Sequence, residues 1–339
     1  MTCRRAHGGS GQPSQIDMAF VRACLPRGVT RVAQRSVCSV TEDRPILLAC
    51  LLNLSEARNV SKVEEVAAAA GCAGAAIVHV FRDHDYNRSV ITLVGKKESL
   101  LGAVKGACSK AIELLDLREH IGHHARAGVV DLIPFHPLTE DDEELRDCAE
   151  LAQKTARFLE DRGMHAFLYG AADPQGRSLV YRRKMLHWFQ NGAPLSNAEH
   201  IRDLKLAGEW AEYGPPIGST DCVSWQKLGI AGVGATPYVI NFNVTLESAD
   251  MKLGRAIAAQ IRATAASGLE GVESMAFPHD GRVEIACNLR STAPPPEVVF
   301  RRIEHEASMR GLQVVGEATI VGYSRKILLE KAHALITET

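Results

Sequence analysis

Four histidines, His120, His123, His124 and His136, fall within a short stretch that also carries Arg126 and Asp131. An imidazole titrates near pH 6.5, so such a cluster can move protons or bind a metal at neutral pH. The spacing fits no established zinc pattern, and no metal is expected. A loop histidine is also often a solvated or hydrogen-bonded structural residue, so the cluster alone does not choose. Arg88 and Arg126 offer planar forks that hold carboxylates bidentately, and Asp131 can orient a donor or a histidine. Gly232-Val233-Gly234 lacks the third glycine of a dinucleotide fingerprint and reads as a tight turn into a strand.

The elements that would position these groups begin at Pro45. Ile46–Leu52, Ala75–Phe81 and Ser89–Val94 read as strands, and Val60–Ala70 and Leu100–Leu115 as helices. A helix then follows Pro137, with a capping box from Thr139 to Asp142 and Gly163 at its C-terminal end. Ala166–Tyr169 is a short strand, and Pro194–Pro216 is irregular, the best linker in the chain. Beyond it come strand Tyr238–Leu246, helix Met251–Ser267, strands Gly271–Phe277 and Val283–Leu289, helix Pro296–Arg310 and strand Gln313–Val321. Each half therefore reads β-α-β-β-α-β, which predicts an α+β protein of two ferredoxin-like lobes with a ligand cleft between them. The lobes are expected over residues 46–223 and 224–335, joined near 214–224, each sheet carrying helices on one face.

Composition narrows the function classes. Of 339 residues, 46% are hydrophobic and 23% charged, the balance of an ordinary globular chain. A formal net charge of -1 gives no field favouring nucleic acid or an anionic membrane. No apolar run approaches the roughly 20 residues of a membrane helix, so a soluble protein is expected. The nine cysteines are scattered, with no C-x-x-C, which argues against a disulfide scaffold and for a reducing compartment. Residues 1–41 carry Arg4, Arg5, Arg22, Arg27, Arg31 and Arg35 against the single acid Asp17. Such a segment reads as an organelle transit peptide or as a leader without an address. The compartment is accordingly cytoplasmic, or mitochondrial or plastid if the segment is a transit peptide. Deleting Met1–Thr41 should move the melting temperature by no more than a few degrees in a thermal scan.

Four ordered segments resemble the formiminotransferase domain of formiminotransferase-cyclodeaminase. They are Asn53-Leu54-Ser55-Glu56-Ala57-Arg58-Asn59, Asn87-Arg88-Ser89-Val90, the run from His120 through Arg126 and Asp131 to Pro137, and Gly232–Ala235 followed by Asn241-Phe242-Asn243-Val244. Tyr169-Gly170 and Val314-Val315-Gly316 add minor support, and the resemblance spans roughly residues 46–335. It implies transfer of a formimino group from N-formimino-L-glutamate to tetrahydrofolate, held in a cleft between two lobes. On that resemblance His124 is the catalytic base. Asn53, Glu56, Asn87, Arg88, Arg126, Asp131, Asn241 and Asn243 are the expected substrate- and folate-binding residues. The expected partner is a small-molecule folate, with a homodimer as a candidate assembly, and the chain leaves no room for a cyclodeaminase domain.

Five positions depart from the family pattern, two of them His123 in place of an acidic residue and Ala57 in place of a glycine. Phe81 stands where a strand-end acid assists catalysis, with Asp83 or Asp85 as substitutes if the loop is rebuilt. Ala125 replaces the proline after the histidine, and Thr236 replaces a basic residue. The alternative function is therefore a non-catalytic folate-binding or interaction protein that kept the fold and lost the chemistry.

Overall fold

The computed structural model describes residues 46–185 and 226–337. The leader, the irregular stretch Pro194–Pro216 and the expected junction at 214–224 lie outside the described residues. The protein is α+β, with one six-stranded and one four-stranded sheet.

The first sheet is built around β1 (Leu48–Leu54), whose near-continuous apolar run is explained by burial on both faces. Leu48, Cys50 and Leu52 pack beneath the helices α1 (Val60–Gly71), α2 (Lys97–Leu114) and α3 (Asp142–Glu160). Ala49 and Leu51 face the opposite side. Strands β2 (Ala76–Asp83) and β3 (Arg88–Gly95) form an antiparallel pair, and β3 pairs with β1. On the other side of β1 lies β4 (Val130–Pro137), then β6 (Ile230–Ala235) and, at the edge, β5 (His165–Gly170), giving the order β2-β3-β1-β4-β6-β5.

Three features differ from the sequence expectation. Val130–Pro137 is a full strand, although Pro134 and Pro137 within it argue locally against one. β6, expected to open the second half, is hydrogen-bonded in parallel between β4 and β5, so the sheets part after Ala235 rather than at residue 223. Its glycines do not make a tight turn. Gly232 lies opposite Phe167 and Gly234 opposite Tyr169, and a Cβ on Gly234 would come 2.5 Å from the tyrosine ring. Glycine is what lets those two aromatic rings lie across β6.

At α3 the cap is Asp141, whose side chain accepts from the Glu143 N–H at 2.7 Å. Thr139 accepts from the Asp141 N–H instead of closing a box with Asp142. Asp142, Glu143 and Glu144 then stand in the first turn, at the positive end of the helix dipole. Gly163 takes the expected left-handed backbone just past the helix, at φ 78°. Between β5 and the undescribed segment lies the short helix α4 (Leu179–Met185).

The second sheet has the order β10-β7-β9-β8, formed by β7 (Ile240–Leu246), β8 (Val272–His279), β9 (Arg282–Leu289) and β10 (Val314–Ile320). Helices α5 (Met251–Ile261) and α6 (Pro296–Ser308) cover one face, burying Phe242, Val244, Ile257, Ile261, Val299 and Ile303. Strand alternation therefore turns Asn241, Asn243, Glu284 and Asn288 to the other face. A final helix, α7 (Arg325–Thr337), follows the last expected strand. It packs against β2 and β3 and buries Leu328 and Ala332 beside Leu51 and Val90, so the first sheet carries helices on both faces.

Candidate functional site

A bulge in β4 organises the site. Asn53 lies opposite Leu132 and Leu54 opposite Val130, which leaves Asp131 as the extra residue. Bulges re-aim side chains, and this one turns Asp131 toward Arg88 at the start of β3. The Arg88 guanidinium donates through Nη1 to Asp131 at 2.6 Å and through Nη2 to Asn53 Oδ1 at 2.9 Å. The other Asp131 oxygen accepts the Ala127 N–H at 2.5 Å. Asp131 is buried, which raises its pKa, but the neighbouring Arg88 and Arg183 guanidiniums and these hydrogen bonds hold it below the usual carboxylate range. Three separated segments thus converge on one buried ion pair.

Asn87 joins the loops around that pair. Its backbone is left-handed, at φ 50°, a conformation asparagine tolerates better than most residues. Its Oδ1 accepts the Ala57 and Arg58 N–H groups at 2.8 and 3.2 Å, and its Nδ2 donates to the Ile121 carbonyl. Its own carbonyl faces His120 Nε2 at 2.9 Å. Glu56 is similarly committed to the backbone, accepting the Arg58 and Asn59 N–H groups ahead of α1. Both residues shape the rim.

The histidine loop closes over this frame. Arg126 is buried, donates through Nη2 to the His120 carbonyl at 2.8 Å, and has no hydrogen-bond acceptor for Nε among the described residues. His124 Nδ1 sits 2.5 Å from the Ala125 carbonyl, which makes Nδ1 the protonated nitrogen and Nε2 the basic one. Burial, and then the adjacent Arg88 charge, push the His124 pKa down to about 3. The imidazole is therefore neutral throughout the physiological range. His136 is apart from the loop, inside β4, with Nδ1 donating to the Thr236 carbonyl.

Residues of the second sheet reach the same place. The His124 ring stacks on Phe277 of β8 at 5.2 Å between centroids, and the Tyr86 ring stands edge-on to it at 5.2 Å. The Tyr86 hydroxyl donates to Glu284 of β9 at 2.6 Å, and Asn243 donates to the same oxygen at 2.9 Å. Asn241 instead pairs with Asn288 at 3.3 Å along its own sheet. Asn53, Arg88, Arg126, Asp131, His124 and Asn243 are thus linked through one continuous set of contacts. Tyr86, Phe277, His279, Glu284 and the half-buried Arg183 of α4 are not singled out by the sequence reading. Only Tyr86, adjacent to Asn87-Arg88, carried a local signal.

The sequence profile of the formiminotransferase domain, N-terminal subdomain, matches residues 47–236. That range ends one residue beyond β6. The chain belongs to the formiminotransferase family. It is 31% identical over 309 residues to a formiminotransferase cyclodeaminase-like protein of Arabidopsis thaliana, covering 87% of this chain and 99% of that one. It is 30% identical to glutamate formimidoyltransferase of Thermoplasma acidophilum, covering 81% and 87%. The enzyme of that name from Streptococcus pyogenes serotype M1 is 27% identical, covering 84% and 92%.

Against the family pattern, Phe81 packs into the apolar layer that also holds Leu51, Val90 and Tyr323. Asp83 turns toward the second sheet and meets His279 at 2.9 Å, while Asp85 accepts the Asp280 N–H from that side at 3.1 Å and meets His123 of the histidine loop at 3.0 Å. Thr236 accepts His136 through its carbonyl, in the turn after β6.

In this formiminotransferase-family chain, burial lowers the pKa of His120, His124 and His136, to about 4, 3 and 4. Each is raised to its ordinary 6.5 on unfolding, so the unfolded chain binds more protons between those values. Stability should rise with pH across that window and be lost as pH falls from about 6.5 toward 4. Urea midpoints measured from pH 8 to pH 4 should drop steadily below pH 6.5; a flat profile would contradict the burial of these rings.

Proposed function

We propose that this chain transfers a formimino group from N-formimino-L-glutamate to tetrahydrofolate, in a cleft between two ferredoxin-like lobes. The strand orders β2-β3-β1-β4 and β10-β7-β9-β8 support the lobes, since each is the 2-3-1-4 arrangement or its mirror reading for a β-α-β-β-α-β unit. The observation that carries the functional reading is His124. It is a neutral imidazole set between the Arg88–Asp131 pair of the first sheet and Phe277 of the second.

In this reading His124 Nε2 accepts the proton of the attacking folate nitrogen. The Arg126 Nε donor, buried without an acceptor among the described residues, fits a glutamate carboxylate, and Nη2 is held by the His120 carbonyl. An anionic substrate beside Arg88 and Arg183 would offset their charge and strengthen the His124 base on binding. Asn53 and Asp131 hold Arg88, while Asn87 and Glu56 hold the loops. Asn243 contributes from the second sheet through Glu284.

One observation favours a second reading. Phe81 fills the position of a family acid with an apolar ring, which suits a folate-binding protein without turnover. Titrating the purified protein with tetrahydrofolate, with and without N-formimino-L-glutamate, separates the two. The proposed enzyme forms 5-formimino-tetrahydrofolate and free glutamate, whereas saturable folate binding without product would leave the second reading standing.

A further inference from the structure

Phe81 removes one acid, and the structure offers another proton-carrying group against Asp83, two residues farther along β2. His279, at the end of β8, reaches across to the first sheet and contacts Asp83 of β2 through Nε2 at 2.9 Å. Its ring packs on Tyr86 at 4.6 Å between centroids, and His124 meets the same Tyr86 ring at 5.2 Å. The two imidazoles are therefore separated by one aromatic side chain. His279 Nδ1 lies 3.9 Å from Asp280 and 4.0 Å from Glu284, too far for a hydrogen bond to either. The side chain is 18% exposed, enough for a bound molecule to reach it.

We infer that His279, oriented by Asp83, gives its Nδ1 proton to the glutamate nitrogen as it departs, with His124 as the proton acceptor on the folate side. This assignment rests on the transfer reaction proposed above and names a residue that reading did not use. Starting from the protonated formimino group, His124 takes the proton of the folate nitrogen as that nitrogen bonds to the formimino carbon. His279 protonates the glutamate nitrogen as its bond to the same carbon breaks, and the bonding pair leaves with a neutral amine. The C=N bond re-forms on the transferred group, and solvent takes the proton from His124 and returns one to His279.

The surroundings suit the two roles. Burial disfavours the charged His279, but the carboxylates facing it from three elements outweigh this. They are Glu284 on β9, Asp83 on β2 and Asp280 in its own turn, and together they raise its pKa above the ordinary 6.5. Asp85 lies just beyond, accepting the Asp280 N–H, and the Tyr86 hydroxyl is bound to Glu284. Two histidines with pKa values displaced in opposite directions, at one place, are the arrangement that an acid and a base working at the same pH require.

The test is the pH dependence of formimino transfer in the full-length protein and in His279→Gln and Asp83→Asn. A proton donor must be protonated in the free enzyme, so kcat/KM of the wild type should fall on the alkaline side of the His279 pKa. His279→Gln should abolish that limb and lower kcat on the order of 10²–10⁴-fold, with the tetrahydrofolate Kd within a few-fold of wild type. Asp83→Asn removes a carboxylate that raises the His279 pKa and should move the limb to lower pH. A limb that stays in place in Asp83→Asn, or a His279→Gln enzyme that keeps its kcat, overturns the assignment while leaving the transfer reaction intact. Should His279→Gln not fold, the position of the limb in Asp83→Asn decides alone. Absence of any transfer by the wild type overturns the reading of the site itself, and this assignment with it.

Discussion

His124→Ala should lower the rate of formimino transfer on the order of 10²–10⁴-fold, the loss expected when a general base is removed. Tetrahydrofolate affinity should change only a few-fold, because Arg88, Arg126 and the surrounding loops are fixed by contacts that do not pass through the imidazole. The free-enzyme pKa of about 3 has a consequence for the profile. His124 is neutral from pH 5 upward, so it should impose no loss of kcat/KM between pH 8 and pH 5. Single-turnover rates and folate titrations on the same preparation distinguish the outcomes. If the protein only binds folate, the substitution leaves affinity unchanged and there is no rate to lose.

Asp131→Asn should be the most destabilising single change at the site. The Asp131 and Arg88 side chains are 2% and 11% exposed, and removing one charge leaves the other buried without its counter-ion. Breaking such a pair costs about 3–5 kcal/mol, whereas replacing both partners with apolar residues of similar volume is often near neutral. Arg183 adds a second guanidinium facing the vacancy, which makes the single substitution worse. Urea unfolding at pH 7 should therefore show a much lower midpoint for Asp131→Asn than for Arg88→Met/Asp131→Leu. The folded-state pKa of Asp131 is depressed, so its contribution is present above the unfolded value of 3.8 and is lost as pH falls below it. At pH 3 the gap between wild type and Asp131→Asn should narrow.

How much of this was legible beforehand varies with the kind of interaction. Strands and helices of the second sheet are readable to within two residues, because most are bounded by turn residues and face one core with clean periodicity. The exception is α5, which stops at Ile261 rather than Ser267 because Arg262 turns to extended backbone. β4 was hidden because Pro134 and Pro137 contradict a strand locally, while its pairing with β1 and β6 overrides them. α7 was hidden because its apolar residues, including Leu328 and Ala332, gain meaning only against the far face of the first sheet.

The sequence by itself determined the α+β class and the family through its ordered motifs, and it marked Asn53, Arg88, His124, Arg126 and Asp131 among the candidate site residues. Motifs carry that information because the residue types and their local turns are encoded side by side. Only the tertiary structure decided which of those groups face one another. The bulge that turns Asp131 to Arg88, the commitment of Asn87 and Glu56 to backbone hydrogen bonds, and the membership of β6 in the first sheet all depend on pairing register between distant segments. The Tyr86–Glu284 and Asp83–His279 contacts join residues almost two hundred positions apart, 198 and 196. No local pattern marks such pairs, because the forces that make them, burial and charge proximity, exist only once the two sheets are in contact.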